Sequence, residues 1–397
     1  MDPDDPNHNH IHAYPYSNGK YDFDEWNDAF WTRFRDVARA ARDRDIVVNV
    51  SMLNVLIARF DRFKTPFDKN DNGGQIFSPK RDGDLQPEWY DLDYSENGVT
   101  LRSKQQALID KTLAELDSFD NVIFEIQNEN GHDIASVEDA SAFQNYWAAH
   151  VASKTSRLVM VHAHHGANQH TKGVEHYWDE SYNDILNFHF YPKRKLGSLD
   201  MVSNLLHPVQ SKGKVLFDNE GWPNRVPETG AVDYRNLNAS TRHNWAMFTS
   251  GGYGAFFNLS RHDGGIGDSA WEVIAKRLTV QRNIVETVRF WEMSPVDEHG
   301  NEIDNLVHNG PGNEWQVIAN LGNEYLVFFC GSKGSNDVEI DLPPGNYNFV
   351  FYSAENGTAM GSGSIDGGPR RALRSPRPHL WNGEVGLVLT IIRDASR

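Results

Sequence analysis

The chain has 397 residues, of which 39% are hydrophobic and 23% charged, a composition that excludes disorder for most of its length. Its 38 basic and 55 acidic residues give a formal charge of −17, which argues against nucleic acid and anionic membrane surfaces as partners. The single cysteine, Cys330, excludes an intrachain disulfide, and no apolar stretch reaches the ~18 residues that a membrane helix needs.

Short apolar runs alternate with amphipathic stretches over the first three quarters of the chain. From the second run onward they start 36, 27, 29 and 40 residues apart, which is the length of a βα unit. Because the runs are almost continuously apolar and rich in β-branched or aromatic residues, they predict strands buried on both faces of a parallel sheet. The predicted strands are 46–52, 122–126, 158–163, 185–190, 214–218 and 254–259. The predicted helices are 31–44, 103–119, 142–154, 199–210, 240–249 and 271–291.

Repeated βα units indicate an α/β barrel or a doubly wound sheet, and no glycine-rich phosphate-binding sequence follows any run, which favours the barrel. A barrel of this kind has eight strands. We therefore expect its first strands to be missing from this chain or to be supplied in another way. Residues 294–397 instead predict short antiparallel strands at 315–320, 324–330, 337–341, 347–352 and 386–392. We predict a (β/α)8 TIM-type barrel domain over 1–293 and a small antiparallel β-sandwich over 294–397.

Two glutamates stand directly after predicted strands. Glu129 follows the strand 122–126 within IFEIQNEN, and Glu220 follows the strand 214–218 within VLFDNEGW. They are 91 residues apart, or three βα units, which would place them on opposing walls of one barrel mouth. Two facing carboxylates are what the hydrolysis of a glycosidic bond requires.

Other strand ends carry side chains that suit a sugar site. His189 and Tyr191 are two residues apart and would share one face, where they could orient a carboxylate. The sequence HAHH supplies His164 at another strand end. Aromatic rings on which a sugar could stack are Trp222, Tyr253 and Trp89.

The order of these motifs resembles that of the clan A retaining β-glycoside hydrolases, the cellulase-like TIM barrels. IFEIQNE (123–129) looks like the fourth-strand motif of that clan, FDNEGW (217–222) like the seventh and GYGAFFN (252–258) like the eighth. FWTRFRDVARAARDRDIVVNV (30–50) is similar to the helix and third strand. The C-terminal part resembles the collagen-binding-type β-sandwich found behind such barrels.

The resemblance implies a role for each matching residue. Glu129 would be the general acid/base and Glu220 the nucleophile, while Asn128 would hydrogen-bond the 2-hydroxyl of the sugar being cleaved. His189 and Tyr191 would support the carboxylates. The clan also places an arginine beneath the nucleophile from its first two strands, and no segment of this sequence matches those strands.

Two other functions are compatible with the same residues. His8, His10 and His12 alternate, as do His162 and His164, and alternating histidines in an α/β barrel can hold a catalytic metal. A barrel without its first strands could also bind glycans without cleaving them.

Our prediction is a glycosidase that needs neither cofactor nor metal, with a carbohydrate as its partner. The sequence leaves the oligomeric state open. The N-terminus MDPDDPNHNH does not look like a secretory signal. We nevertheless expect a secreted or periplasmic protein, because an acidic, aromatic-rich chain suits polysaccharide degradation.

Overall fold

The chain divides into two compact units, Met1–His189 and Phe190–Arg397. This division differs from the predicted domain boundary at 293/294, which stays a prediction. The computed structural model describes residues 12–18, 20–53, 80–81, 84–85, 87–96, 98–131, 135–164, 174–177, 179–189, 213–219, 234–254, 268–297, 299–312, 314–331, 334–335, 337–377 and 384–395.

Five helices lie within these ranges, and the first three begin at a capping side chain. The side chains of Asn27, Thr100 and Ser136 each accept a backbone N–H from the first turn of their helix, which satisfies a donor that has no partner inside the helix. The helices are α1 (Asp28–Arg42), α2 (Leu101–Leu116), α3 (Val137–Ala152), α4 (Tyr234–Thr249) and α5 (Asp268–Val285). Short 3₁₀ turns span Pro87–Tyr90, Val174–His176, Phe290–Glu292 and Asp304–Leu306. The predicted helix 199–210 lies outside the described residues. No helix that the structure describes is long and apolar enough to span a membrane.

The strands of the described residues fall into a parallel set in the middle of the chain, an antiparallel set at its end and several two-residue ladders. In chain order they are β1 (Tyr16–Ser17), β2 (Lys20–Tyr21), β3 (Val48–Ser51), β4 (Lys80–Arg81), β5 (Asp84–Leu85), β6 (Ser95–Glu96), β7 (Val99–Thr100), β8 (Val122–Glu125), β9 (Val159–His162), β10 (Ile185–Asn187), β11 (Val215–Asp218), β12 (Gly252–Gly254), β13 (Val307–Asn309), β14 (Glu314–Asn320), β15 (Glu324–Cys330), β16 (Asp337–Ser353), β17 (Ala359–Arg374) and β18 (Leu387–Arg393).

The first unit contains four parallel strands in the order β3-β8-β9-β10. Val50 pairs with Phe124, and Phe124 pairs with Val159, so the apolar residues of neighbouring strands lie in register. Helix α2 connects β3 to β8 and α3 connects β8 to β9, as parallel strands require. The carboxyl ends of the four strands therefore lie at the same edge of the sheet.

The second unit begins with the parallel pair β11 and β12, in which Phe217 pairs with Tyr253. Helix α4 follows β11 and α5 follows β12. Five of the six predicted apolar runs contain a parallel strand, and β12 ends at Gly254, the first residue of the sixth run. Over the described residues this confirms parallel strands that alternate with helices. The completion of an eight-stranded barrel remains a prediction.

The C-terminal strands form an antiparallel sheet in the order β13-β16-β18-β15-β14, with β17 paired to β16. This confirms an all-antiparallel C-terminal part, although its collagen-binding type stays a prediction. Its interior is a cluster of buried apolar side chains contributed by all six strands. Members of this cluster include Val307, Val317, Val327, Phe329, Ile340, Tyr347, Phe351, Leu373, Leu389 and Ile391.

Two details of this sheet differ from the prediction. The residues predicted as two strands, 337–341 and 347–352, instead belong to one long strand, β16, with register shifts between Ile340 and Asn346. Its first part pairs with β13 and its second part with β18, so the shift allows a single strand to serve both neighbours. Strand β17 was not predicted at all, because its glycines and arginines have low β propensity and it pairs with β16 alone among the described strands.

Candidate active site

Glu129 lies four residues beyond the end of β8, at the edge of the sheet where the parallel strands end. Its backbone φ is 50°, in the left-handed region that residues other than glycine rarely adopt. Only 7% of its surface is exposed. A conformation of this kind costs on the order of 1–3 kcal/mol and persists only where the surroundings hold it.

Hydrogen bonds on both sides of Glu129 hold the loop 127–131. The Tyr90 hydroxyl accepts from Gln127 Nε2 and from the Gly131 amide, both at 2.8 Å. The Asn128 amide donates to Ser51 Oγ at 3.1 Å, and Asn130 Nδ2 donates to the carbonyl of Ala140 at 3.0 Å. Side chains from β3 and from the 3₁₀ turn before α2, together with a backbone carbonyl of helix α3, therefore fix the loop that carries Glu129.

His189 brings a titratable ring to the Glu129 carboxyl. Its side chain is fully buried two residues beyond β10, and its Nδ1 lies 3.5 Å from Glu129 Oε1. The ring of His162, at the end of β9, contacts His189 edge-on with ring centroids 4.4 Å apart. His162 Nδ1 lies 2.6 Å from the Ala163 carbonyl, a distance at which this nitrogen donates its hydrogen.

A second buried carboxyl, which sequence analysis missed, belongs to Glu125, four residues before Glu129 in the sequence. Glu125 is the last residue of β8 and is 1% exposed. It accepts Asn187 Nδ2 at 2.7 Å and Asn49 Nδ2 at 3.2 Å, and Ser51 also hydrogen-bonds it. Burial raises the pKa of Glu125, while these donors and nearby His189 oppose the shift. The available signal was a lone carboxylate inside the apolar run VIFEI.

Three of the predicted substrate-binding residues, Asn128, Trp89 and His164, are buried but differ in their contacts. Asn128 lies beside Glu129, and among the described residues no protein group hydrogen-bonds its buried Oδ1. Trp89 is buried, and its carbonyl accepts Gln105 Nε2 at 3.3 Å. His164 is also buried and lies against Gly131, where a Cβ would run into the imidazole ring. Asn128 is therefore the best placed of the three to meet a ligand.

The remaining predicted residues belong to the second unit or are not described. Tyr253 in β12 is 43% exposed and contacts Phe248 edge-on. Partial burial raises the pKa of its phenol. Tyr191, Glu220 and Trp222 lie outside the described residues, and so do His8 and His10.

The second unit contains a buried His–Asp hydrogen-bonded pair at the end of β11. His243 Nε2 of α4 lies 2.7 Å from Asp218 Oδ2, and Asp218 is fully buried. Asp218 is the last residue of β11 and stands two positions before Glu220 in the sequence. The pair ties the end of that strand to helix α4, a link that the sequence alone did not reveal.

Within the described ranges, no three His, Cys, Asp or Glu side chains are grouped as a metal site would require. Of the alternating histidines considered as metal ligands, His12 contacts Tyr21 edge-on and His164 Nε2 lies 3.0 Å from the Ala135 carbonyl.

Comparisons with known proteins identify a fold. No protein-family model matches the chain, and no curated protein matches it. A solved structure described as a glycoside hydrolase family 5 protein from Bacteroides vulgatus superposes with a TM-score of 0.64 and 14% identity. The match covers 97% of this chain and 81% of that one. A second structure, described as a glycoside hydrolase, has a TM-score of 0.53 and 13% identity over 91% of this chain and 90% of that one. The chain therefore shares the fold of these two structures, including the C-terminal part.

Proposed function

We propose that this chain is a retaining glycoside hydrolase that cleaves β-glycosidic bonds of a poly- or oligosaccharide, with Glu129 as general acid/base and Glu220 as nucleophile. The observation that carries the proposal is the placement of Glu129. A buried carboxyl is held in a strained loop where parallel strands end, within 3.5 Å of a buried imidazole. Catalytic groups of β/α barrels lie at this edge of the sheet.

The proposed reaction proceeds by two displacements. The Glu220 carboxylate attacks the anomeric carbon, and the bond from that carbon to the leaving oxygen breaks as Glu129 gives the oxygen its proton. Glu129, now ionised, takes a proton from water. The water oxygen attacks the same carbon and the bond to Glu220 breaks. Glu129 must therefore begin each cycle protonated and Glu220 ionised.

The neighbours of Glu129 have matching tasks in this proposal. Asn128 has a buried acceptor without a protein partner among the described residues, as a residue that binds a sugar hydroxyl should. His189 orients the Glu129 carboxyl, and the loop contacts keep it in place. Tyr191 and Trp222 are proposed to contribute on the strength of the sequence alone. A polymeric substrate would also fit the proposed secreted or periplasmic location.

The test is reducing-sugar release from a panel of β-linked polysaccharides, with and without EDTA. We expect wild-type activity to survive EDTA, Glu220→Ala to show none above background, and Glu129→Ala to lose about 10²–10⁴-fold. Glu138→Ala, an exposed position on α3, is the matched control and should retain full activity. Azide should restore turnover to Glu129→Ala on an activated aryl glycoside, because it attacks the intermediate without base assistance.

Three outcomes would contradict the proposal. Full activity of Glu220→Ala would remove that residue from catalysis, and loss of activity with EDTA would favour a metal-dependent hydrolase. Binding of a glycan without release of reducing ends would indicate a carbohydrate-binding barrel.

A further inference from the structure

Tyr90 reaches the loop of Glu129 from a segment with no evident catalytic motif. It ends the 3₁₀ turn Pro87–Tyr90, which lies between β3 and α2. Its side chain is buried, with its ring edge-on to Phe143 of α3 at a centroid distance of 5.1 Å. Burial raises the pKa of Tyr90, so its hydroxyl stays neutral at ordinary assay pH.

The hydroxyl of Tyr90 bridges the strained residue. Its two donors, Gln127 Nε2 and the Gly131 amide, come from two residues before and two residues after Glu129, each at 2.8 Å. One oxygen atom thereby fixes the distance between the two ends of the turn that forces Glu129 to its φ of 50°. Without the hydroxyl, the buried donors lose their acceptor and the turn can relax toward ordinary backbone angles.

We propose that Tyr90 is a positioning residue that holds Glu129 where it can protonate the leaving oxygen. This inference rests on the proposed function. It assigns the 3₁₀ turn before α2 a part in the reaction, whereas sequence analysis named Trp89 as the candidate site residue there. A displacement of about 1 Å in a catalytic group can cost on the order of 10²-fold in rate.

The kinetic test uses Tyr90→Phe, which retains the ring contact with Phe143 and removes only the hydroxyl. Substrates with poor leaving groups need a well-placed acid, whereas an activated dinitrophenyl glycoside does not. We expect kcat/KM to fall about 10–100-fold on an oligosaccharide, mainly through kcat, and less than about threefold on the dinitrophenyl glycoside. Equal losses on both substrates would overturn the inference, since general destabilisation acts on both alike.

Tyr325→Phe is a matched control in the second unit. The buried Tyr325 hydroxyl accepts the Gly322 amide at 2.7 Å, so this variant loses the same kind of bond far along the chain from Glu129. It should show no dependence on the leaving group. If Tyr90→Phe fails to fold, Gln127→Met removes one of the two bonds to the hydroxyl and should show the same leaving-group dependence in weaker form.

A second measurement does not depend on turnover. Hydrogen exchange of the segment 126–131 should be at least about tenfold faster in Tyr90→Phe than in wild type, and unchanged in Tyr325→Phe. Unchanged exchange in Tyr90→Phe would overturn the inference whether or not the protein is active. Faster exchange in Tyr90→Phe, together with a wild type that cleaves no glycoside, would instead refute the proposed function and leave the structural role of Tyr90 supported.

Discussion

The loop that follows β8 and the interior of the C-terminal antiparallel sheet are equally buried but differ in chemistry. Gln127, Asn128, Glu129 and Asn130 are all at most 9% exposed, and all are polar. The interior of the antiparallel sheet consists instead of aliphatic and aromatic side chains such as Val327, Phe329 and Phe351. One buried region depends on directed hydrogen bonds and the other on removal of apolar surface from water.

The difference indicates that hydrogen bonds determine atomic positions in the loop, whereas burial of apolar side chains stabilises the sheet. Hydrogen bonds that the loop donates to Tyr90, Ser51 and Ala140 specify where its atoms lie, but each contributes only about 1 kcal/mol net. A buried phenylalanine contributes more and specifies less, because apolar contacts have no preferred direction. Substitutions in the loop should therefore affect chemistry, and substitutions in the sheet should affect folding.

The largest expected effect comes from removing the sheet. Residues 294–397 cover one face of α4, where Trp245 donates to the Ala354 carbonyl at 3.2 Å and stacks on Phe328 at a centroid distance of 6.0 Å. Thr249 Oγ1 also lies 3.1 Å from Gln316 Oε1. We expect a 1–293 fragment to be insoluble or to lack a cooperative unfolding transition, as measured by circular dichroism during heating.

Single substitutions make the same test within the intact chain. Trp245→Ala should cost about 3–5 kcal/mol in the free energy of unfolding, whereas Trp291→Ala, at a side chain that is 67% exposed, should cost almost nothing. A soluble, cooperatively folding 1–293 fragment would contradict the expectation. It would support the domain boundary predicted from the sequence.

Continuous apolar runs made much of the fold predictable. Each of the five runs from 46–52 to 214–218 contains a parallel strand, and β14, β15 and β18 start and end within one residue of their predicted bounds. These strands are buried by many neighbours, so their local composition and their tertiary setting agree. Strand β17 lacks that agreement, because its partner β16 supplies the pairing that its own glycine-rich sequence does not suggest.

The candidate site was predictable only where chain position determines it. Asn128 and Glu129 follow a strand, and a strand end in a β/α fold lies at the functional edge. The parts played by Glu125 and Tyr90 depend on partners 37 to 76 residues away, such as Asn187, Asn49 and Gly131, and no local pattern encodes those distances. The loop in which Glu129 has a left-handed φ is likewise hydrogen-bonded by residues from outside it.

An intermediate effect is expected from a cavity in the apolar interior. Phe351→Ala in β16 removes a fully buried ring from the core of the antiparallel sheet. It should lower the free energy of unfolding by about 3–5 kcal/mol in urea titrations. The activity of the protein that remains folded should not change. A lower kcat per folded molecule would show that the sheet influences the chemistry as well as the folding.

The smallest effect is expected from Glu125→Gln, which tests the polar interior directly. Gln offers one oxygen in place of two, so a donor on Asn187 or Asn49 loses its acceptor at a cost of about 1–3 kcal/mol.

Burial raises the pKa of Glu125 in the folded protein above its value in the unfolded chain. The folded state therefore binds the proton more tightly than the unfolded chain does. The stability that Glu125 contributes to the wild type is present below the unfolded pKa, and it is lost as pH rises from the unfolded pKa to the folded pKa. Gln has no such dependence. The deficit of the variant relative to wild type should thus be largest near pH 4 and shrink toward pH 8 in urea titrations. The exposed substitution Glu138→Gln should show no comparable trend. A deficit that grows with pH would mean that Glu125 is held ionised, and that its asparagine donors outweigh the cost of burying its charge.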